Sequence, residues 1–437
     1  MRIDTPLKRI EMNRNLTCSP QHLRFPGFEG ISSWEEKRMS DIFVRITKKN
    51  KENNKNVLTI SAQYGLVSQY DYFNKNVASL DVSNYYLIKK GDFAYNKSRS
   101  QGYPYGAIKP LLFYDKGVVS PLYICFRLKE NEGNADFFRH YFETDLFNNE
   151  IAKIAQEGAR NHGLLNISSE DFFNIQLRVP SIEEQCKIAE SLSSIDELIN
   201  ASNEKLELLK AHKKGLMQQL LTPINGGGNS CITSRLRFPM FKNTKGWEIK
   251  KLNDIASRIT VKNKSKRDLP VFTNSASGGI VNQQDFFDRE IVTKDNLVNY
   301  SIVEVDDFIY NPRISTTAPV GPISRNRIGR GVMSPLYTIF RFSDGNIDFF
   351  EHYFKTNCWH QYLKNKANFG ARFDRMNISN EDFMNMPIPF PPIIEQKKIA
   401  ESLSSIDETI DIYSKTIALS KQHKKGLMQQ LFPKQVN

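Results

Sequence analysis

The ten residues KIAESLSSID run from Lys187 to Asp196, and the same ten run again from Lys398 to Asp407, 211 positions later. A second identical block, HKKGLMQQL, spans His212 to Leu220 and returns at His423 to Leu431. Working outward, LRFP at Leu23 to Pro26 returns at Leu236 to Pro239, each followed by a tryptophan, Trp34 and Trp247. SPLY at Ser120 to Tyr123 matches Ser334 to Tyr337, and DFFxHYFxT at Asp136 to Thr144 matches Asp348 to Thr356. Asn166-Ile167-Ser168 and Glu170-Asp171-Phe172 match Asn377-Ile378-Ser379 and Glu381-Asp382-Phe383. The offset drifts only between 211 and 214 over these blocks, so one module is written twice with small loop insertions.

The repeated blocks lie on two long helical stretches. Ser181 and Glu184 form a capping box after Pro180, Pro391-Pro392 precede Glu395, and no further proline occurs until Pro223 and Pro433. Steps of four and three from Ile188 give Ile188, Leu192, Ile195, Ile199, Ser202, Leu206, Leu209, Lys213, Leu216 and Leu220. The second copy gives Ile399, Leu403, Ile406, Ile410, Tyr413, Ile417, Ser420, Lys424, Leu427 and Leu431. Apolar heptads sustained over four repeats predict a coiled coil, each helix about 40 residues or ~60 Å long. The short link Thr222 to Arg235, with Gly226-Gly227-Gly228, favours an antiparallel pair with a pseudo-two-fold axis across it.

Before each helix the sequence mixes short β-like runs with helical stretches. The runs are Val57 to Ile60, Tyr85 to Ile88, Leu122 to Phe126, Phe308 to Tyr310 and Tyr337 to Phe340; Ala135 to Ala155 and Ile347 to Lys366 read as helices. The expected class is therefore α+β, with two mixed α/β globular domains joined by an antiparallel two-helix coiled coil. Its expected boundaries are domain one at 1–180, a long helix at 181–222 and a Gly-rich linker at 223–235. Domain two comes next at 236–392, and the distal helix at 393–433.

The 437 residues carry 60 Lys+Arg against 48 Asp+Glu, a formal charge of +12. The first helical stretch sums to −2 and the second to +1, so the basic excess belongs to the globular parts. No run is long and apolar enough for a membrane span, and Met1-Arg2-Ile3-Asp4 opens no secretory signal. Cys18, Cys125, Cys186, Cys231 and Cys358 form no Cys-x-x-Cys pair, which predicts a reducing cytoplasm.

In each half, loops combine Lys/Arg with Asn, Gln, Ser, Tyr and Gly, the mix that holds phosphates and reaches base edges. The first half offers Asn96 to Tyr103 and Gly158 to Gly163, with Lys97, Arg99, Gln101, Arg160, Asn161 and His162 as candidates. The second offers Asn311 to Thr317 and Asn368 to Arg375, with Arg313, Thr316, Thr317, Asn368, Arg372 and Arg375. Arg160 and Arg372 fall at equivalent places, as a common phosphate anchor would. Lys48 to Lys55 taken alone reads as a hydrated loop. Between Arg45 and Lys90, and between Arg258 and Glu304, the copies align only loosely, so one scaffold carries two different surfaces.

Catalytic signatures are missing. No Walker A sequence and no Gly-x-Ser-x-Gly elbow occurs, and Asn311-Pro312-Arg313 lacks the second Pro and the aromatic residue of an amine-methylation motif. His140 and His352 have no second ligand or nucleophile nearby in sequence and read as core or interface residues.

A pair of globular domains, each ending in a helix start such as Pro180-Ser181-Ile182-Glu183-Glu184-Gln185 or Pro392-Ile393-Ile394-Glu395-Gln396 followed by Lys-Ile-Ala, resembles the specificity (S) subunit of a Type I restriction-modification system. The resemblance runs from Leu23 to Leu431. It implies two target recognition domains, each reading half of a bipartite, asymmetric site on double-stranded DNA, with the coiled coil as ruler for the spacer. It also implies two modification (methyltransferase) subunits and two restriction (motor-nuclease) subunits as partners. Adenosylmethionine, ATP and Mg²⁺ would serve in those partners and no cofactor in this chain, which would be a non-catalytic subunit. The candidate modification-subunit contact comprises Glu190, Ser191, Glu401, Ser402, His212, Lys213, His423 and Lys424. Two rival readings stay open on sequence grounds: the recognition region of a DNA methyltransferase or nuclease, and a scaffold that binds only proteins.

Overall fold

Phe93, Ala94 and Tyr95 are all buried, and in a strand successive side chains point to opposite faces, so both faces of this strand must be covered. They are. Phe93, Tyr95 and Phe126 join an aromatic core with Phe43, Phe138 and Phe142, while Ala94 and Cys125 face a second core with Leu58, Leu66 and Ile88. The repeat does the same: Phe308, Tyr310 and Phe340 face one core, Ile309 and Ile339 the other.

These strands belong to a computed structural model that describes residues 23–29, 34–61, 65–73, 81–100, 102–157, 163–226, 231–264, 268–286, 294–367 and 374–432. The chain divides into two compact units, Met1–Ser202 with Thr416–Asn437, and Asn203–Lys415. In the first unit, the central antiparallel sheet runs in the order Phe43–Ile46, Ile124–Leu128, Phe93–Asn96, Ala107–Pro110. Beside it lie the hairpin Leu58–Ser61 with Gly65–Ser68 and the pair Tyr86–Lys89 with Lys116–Val119, joined by a parallel bridge from Val57 to Val118. In the second unit the central sheet is Ala256–Arg258, Thr338–Phe342, Phe308–Tyr310, Ile323–Arg325. There the peripheral strands form one four-stranded sheet, because Val271–Ser275 pairs in parallel with Gly331–Met333.

The expected β-like runs are strands within a residue or two of their sequence limits. The expected helices are not single. Ala135–Tyr141 and Asp145–Ile154 replace one stretch, and Ile347–Phe354 and His360–Lys366 the other. The shared threonine of DFFxHYFxT ends the first helix in each: Thr144 Oγ1 donates to Tyr141 O at 2.6 Å and Thr356 Oγ1 to Tyr353 O at 2.7 Å. A side chain that satisfies a last-turn carbonyl removes the need to continue the helix. The repeated serines are N-caps, Ser168 Oγ accepting from Asp171 N and Ser379 Oγ from Asp382 N.

The long helices span Ile182–Leu220 and Ile393–Leu431, 39 residues each, or ~58 Å at 1.5 Å per residue. None of the ladder positions on either helix is exposed. At their starts the sequence misassigns one role. Ser181 Oγ does accept from Glu184 N, but the Glu184 carboxylate turns away from the cap to meet Arg24. The expected linker is also partly structured, since Pro223–Gly226 pairs with Cys231–Ser234.

Inside the first unit, Ile188, Ala189 and Leu192 share a core with Leu427, Met428, Leu431 and Phe432, and Lys424 Nζ reaches Asp196 at 2.6 Å. Rising numbers on one helix thus meet falling numbers on the other. The second unit mirrors this: Leu216, Leu220 and Leu221 share a core with Ile399 and Leu403, and Lys213 pairs with Asp407.

Candidate nucleic-acid interface

In the first unit the strand Phe93–Asn96 is held by Tyr95, whose ring stacks on Phe172 at 5.2 Å. Beyond it, Asn96 Oδ1 accepts from Ser98 N, and the chain runs antiparallel to Gly163–Leu165. Leu165 N donates to Lys97 O at 3.0 Å, and Arg99 N donates to Gly163 O at 2.8 Å. The first loop therefore lies beside Gly163, the last residue of the second. Arg99 is exposed. Lys97 is half-buried, its Nζ donating to Ile167 O at 3.3 Å, and burial lowers its pKa; one such bond leaves two ammonium donors unused. The turn Ser100 to Tyr103 is braced by a group that sequence reading missed, Tyr103 Oη donating to Glu143 at 3.1 Å while Lys109 pairs with the same carboxylate.

The second unit repeats the arrangement with other side chains. Tyr310 stacks on Phe383 at 4.7 Å, Asn311 Oδ1 accepts from Arg313 N, and Arg313 bridges to Arg375. Ile314 N donates to Asp374 O, and Met376 N to Pro312 O. Ser315 and Ala318 close a tight turn whose tip presents Thr316 and Thr317 to solvent. Arg313 and Arg375 flank Asp374 at 3.9 and 3.7 Å, distances too long for strong pairing, and the Arg313 side chain is 64% exposed. Arg313, Thr316, Thr317 and Arg375 thus form one cluster. Gln101, Arg160, Asn161, His162, Asn368 and Arg372 lie outside the described residues.

One glycine in each unit makes room for these loops. Gly106 and Gly321 have φ of +80° and +82°, and a Cβ on either would strike the carbonyl oxygen of Asn96 or Asn311. Behind the second loop, the buried Asn274 Nδ2 donates to Ile309 O at 2.7 Å and Pro322 O at 3.2 Å, and its backbone carbonyl accepts from Asn311 Nδ2. Nothing in the sequence singles out Asn274.

The helix residues chosen as partner contacts divide. Glu190, Glu401, His212 and His423 are exposed, and Ser191 and Ser402 half-exposed. Lys213 and Lys424 are instead drawn into the ion pairs with Asp407 and Asp196. These carboxylates belong to the repeated SSID and the lysines to the repeated HKKG, so each unit pairs one block from one copy with the complementary block from the other. Ser193 and Ser404 of the same blocks meet His140 and His352, at 3.3 and 3.1 Å. Burial pushes His140 down to about 2 and His352 down to about 4. Much of the sequence identity between the blocks therefore serves contacts inside each unit.

The family model for the Type I restriction modification DNA specificity domain matches this chain twice, over residues 31–211 and 244–420. The chain belongs to that family, and its role is DNA sequence recognition within a Type I restriction-modification system. It is 25% identical over 438 residues to a Methanocaldococcus jannaschii protein assigned provisionally as the MjaX specificity subunit of a type I restriction enzyme, covering 91% of this chain and 92% of that one. The MjaVIII specificity subunit of the same organism is 25% identical over 62% of this chain and 64% of its own length. The fold is similar to that of a crystallised Type I restriction-modification S subunit from M. genitalium, with a TM-score of 0.54 at 13% identity, covering 93% of this chain and 98% of that one.

Proposed function

We propose that each unit reads one half of a bipartite, asymmetric DNA target, the first through Lys97 and Arg99 with the loops at Gln101 and at Arg160 to His162, the second through Arg313, Thr316, Thr317, Arg375 and the loop at Asn368 to Arg372. The observation that carries this is the equivalence of the two loop pairs. The frame around them repeats nearly contact for contact, while the side chains they present differ. A common frame with unlike tips suits two different half-sites.

The two helices are proposed to pair as an antiparallel coiled coil that sets the spacer and offers Glu190, Ser191, Glu401, Ser402, His212 and His423 to two modification subunits. At ~58 Å per helix and ~3.4 Å per base pair, half-sites on the order of one and a half turns apart are in range. Methyl transfer with adenosylmethionine, and ATP- and Mg²⁺-dependent cleavage, are assigned to the modification and restriction subunits, with this chain as a non-catalytic adaptor in the cytoplasm. Among the described residues, no helix is long and apolar enough to cross a membrane.

Mapping methylated adenines genome-wide with and without this gene tests the reading; one bipartite motif should vanish with the gene. Arg313→Ala should weaken duplex binding by the complex and flatten the dependence of log Kd on log salt by about one unit. An unchanged motif set, or methyl transfer by the isolated chain, would overturn it.

A further inference from the structure

Lys89 and Lys116 stand directly opposite each other on the antiparallel pair Tyr86–Lys89 and Lys116–Val119. Like charges directly opposite each other on a sheet repel. A third lysine, Lys48, joins them, its carbonyl accepting from Leu87 N on the same strand. One carboxylate, Glu52, lies beside them and contacts Lys116. Lys116 Nζ lies 2.9 Å from Glu52, and this hydrogen bond holds the Glu52 carboxyl below its ordinary range, with Lys48 and Lys89 adding to the effect. Lys51 and Lys90 flank the group and Asp115 lies nearby, all with exposed side chains; the buried Asp92 carboxylate accepts from Lys89 N at 2.7 Å but is neutralised by Arg127.

The second unit shows that the scaffold does not require this. Ile302 N donates to Val261 O as Leu87 N does to Lys48 O, and Val303 pairs with Gly331 as Ile88 pairs with Gly117. Val261, Glu304 and Arg330 therefore occupy the positions of Lys48, Lys89 and Lys116. There the strands carry a complementary pair, Arg330 Nε lying 3.2 Å from Glu304. One copy satisfies its own charge at this edge, and the other leaves a positive surplus facing outward.

We infer that Lys48, Lys89 and Lys116 form a phosphodiester-binding surface peculiar to the first unit, which grips the backbone of duplex DNA without reading its sequence. The inference rests on the DNA-recognition role proposed above. It makes the two units unequal, the first contributing more of the salt-dependent affinity. Ion release on binding scales with the number of phosphates neutralised, so about three contacts should add two to three units to the salt slope.

The test uses the full chain assembled with its modification subunits and a duplex carrying the motif that the methylation map yields. Lys48→Gln/Lys89→Gln/Lys116→Gln should flatten the slope of log Kd against log salt by two to three units, with the methylated motif unchanged. Lys89→Glu, which builds the second unit's ion pair into the first, should flatten it too while the thermal midpoint holds or rises, so misfolding is not the cause. Arg at all three positions should keep the slope. A slope equal to wild type in both the triple Gln and the Glu variants, or a changed motif, overturns the inference. If the wild-type complex itself shows no salt-dependent DNA binding, the specificity role fails with it.

Discussion

Arg237 and Glu395 are 8% and 1% exposed, and their bidentate contact at 2.7 and 2.9 Å is completed by Trp247 Nε1 donating to the same carboxylate at 3.1 Å. Arg24 and Glu184 repeat the pair in the first unit. The arginine of LRFP and the glutamate of the Glu-Gln dipeptide were visible in the sequence as recurring letters 158 or 160 residues apart. That they touch was not, because no local pattern links residues so distant. Removing one member strands a buried charge, so Arg237→Ala should lower the unfolding free energy by about 3–5 kcal/mol in denaturant titration. The histidines add a pH dependence whose sign is fixed by burial. Folded His352 titrates at about 4 and His140 at about 2, against 6.5 when unfolded. Below pH 6.5 the unfolded chain takes up protons the folded one refuses, so their contribution is full above 6.5 and is lost as pH falls toward 4 and then 2. Each can contribute a slope of at most ~1.4 kcal/mol per pH unit. His352→Gln should remove one proton's share of that slope between pH 6.5 and 4, read as unfolding midpoints against pH.

Helices with a four-and-three apolar ladder announce themselves, and both were legible nearly to the residue. The shorter elements were less so: a threonine hydroxyl turned back on a carbonyl splits DFFxHYFxT from the next helix, and propensity alone does not register it. Sequence also could not separate structural identity from docking identity in HKKG. Its lysine proves to be an internal partner, but its glycine is unexplained by the fold. A Cβ at Gly215 or Gly426 would meet nothing within 4 Å, although each sits in a helix interior, where glycine is ~1 kcal/mol worse than alanine. Such a residue suits the close approach of a partner subunit's backbone. Gly215→Ala/Gly426→Ala should raise the thermal midpoint of this chain while weakening its assembly with the modification subunits, measured by titration of one into the other.

The first unit draws on both ends of the described chain. Leu23 N donates to Gln430 O at 2.7 Å, and Phe432 packs edge-on to Trp34 and Tyr141 at 6.0 and 5.8 Å. In the second unit the equivalent bond, Leu236 N to Gln219 O at 3.0 Å, is made between residues close in sequence. A chain ended after Lys415 should therefore keep the second unit protected in limited proteolysis and expose the first, whose aromatic core loses Leu431 and Phe432. Synthesis runs in the same direction as that asymmetry. At ~5–20 residues per second, the segment from Thr416 emerges roughly 10 to 40 s after Ser202. The domain translated first is the last to be closed, and until then its unfinished aromatic face is the one a ribosome-associated chaperone would meet.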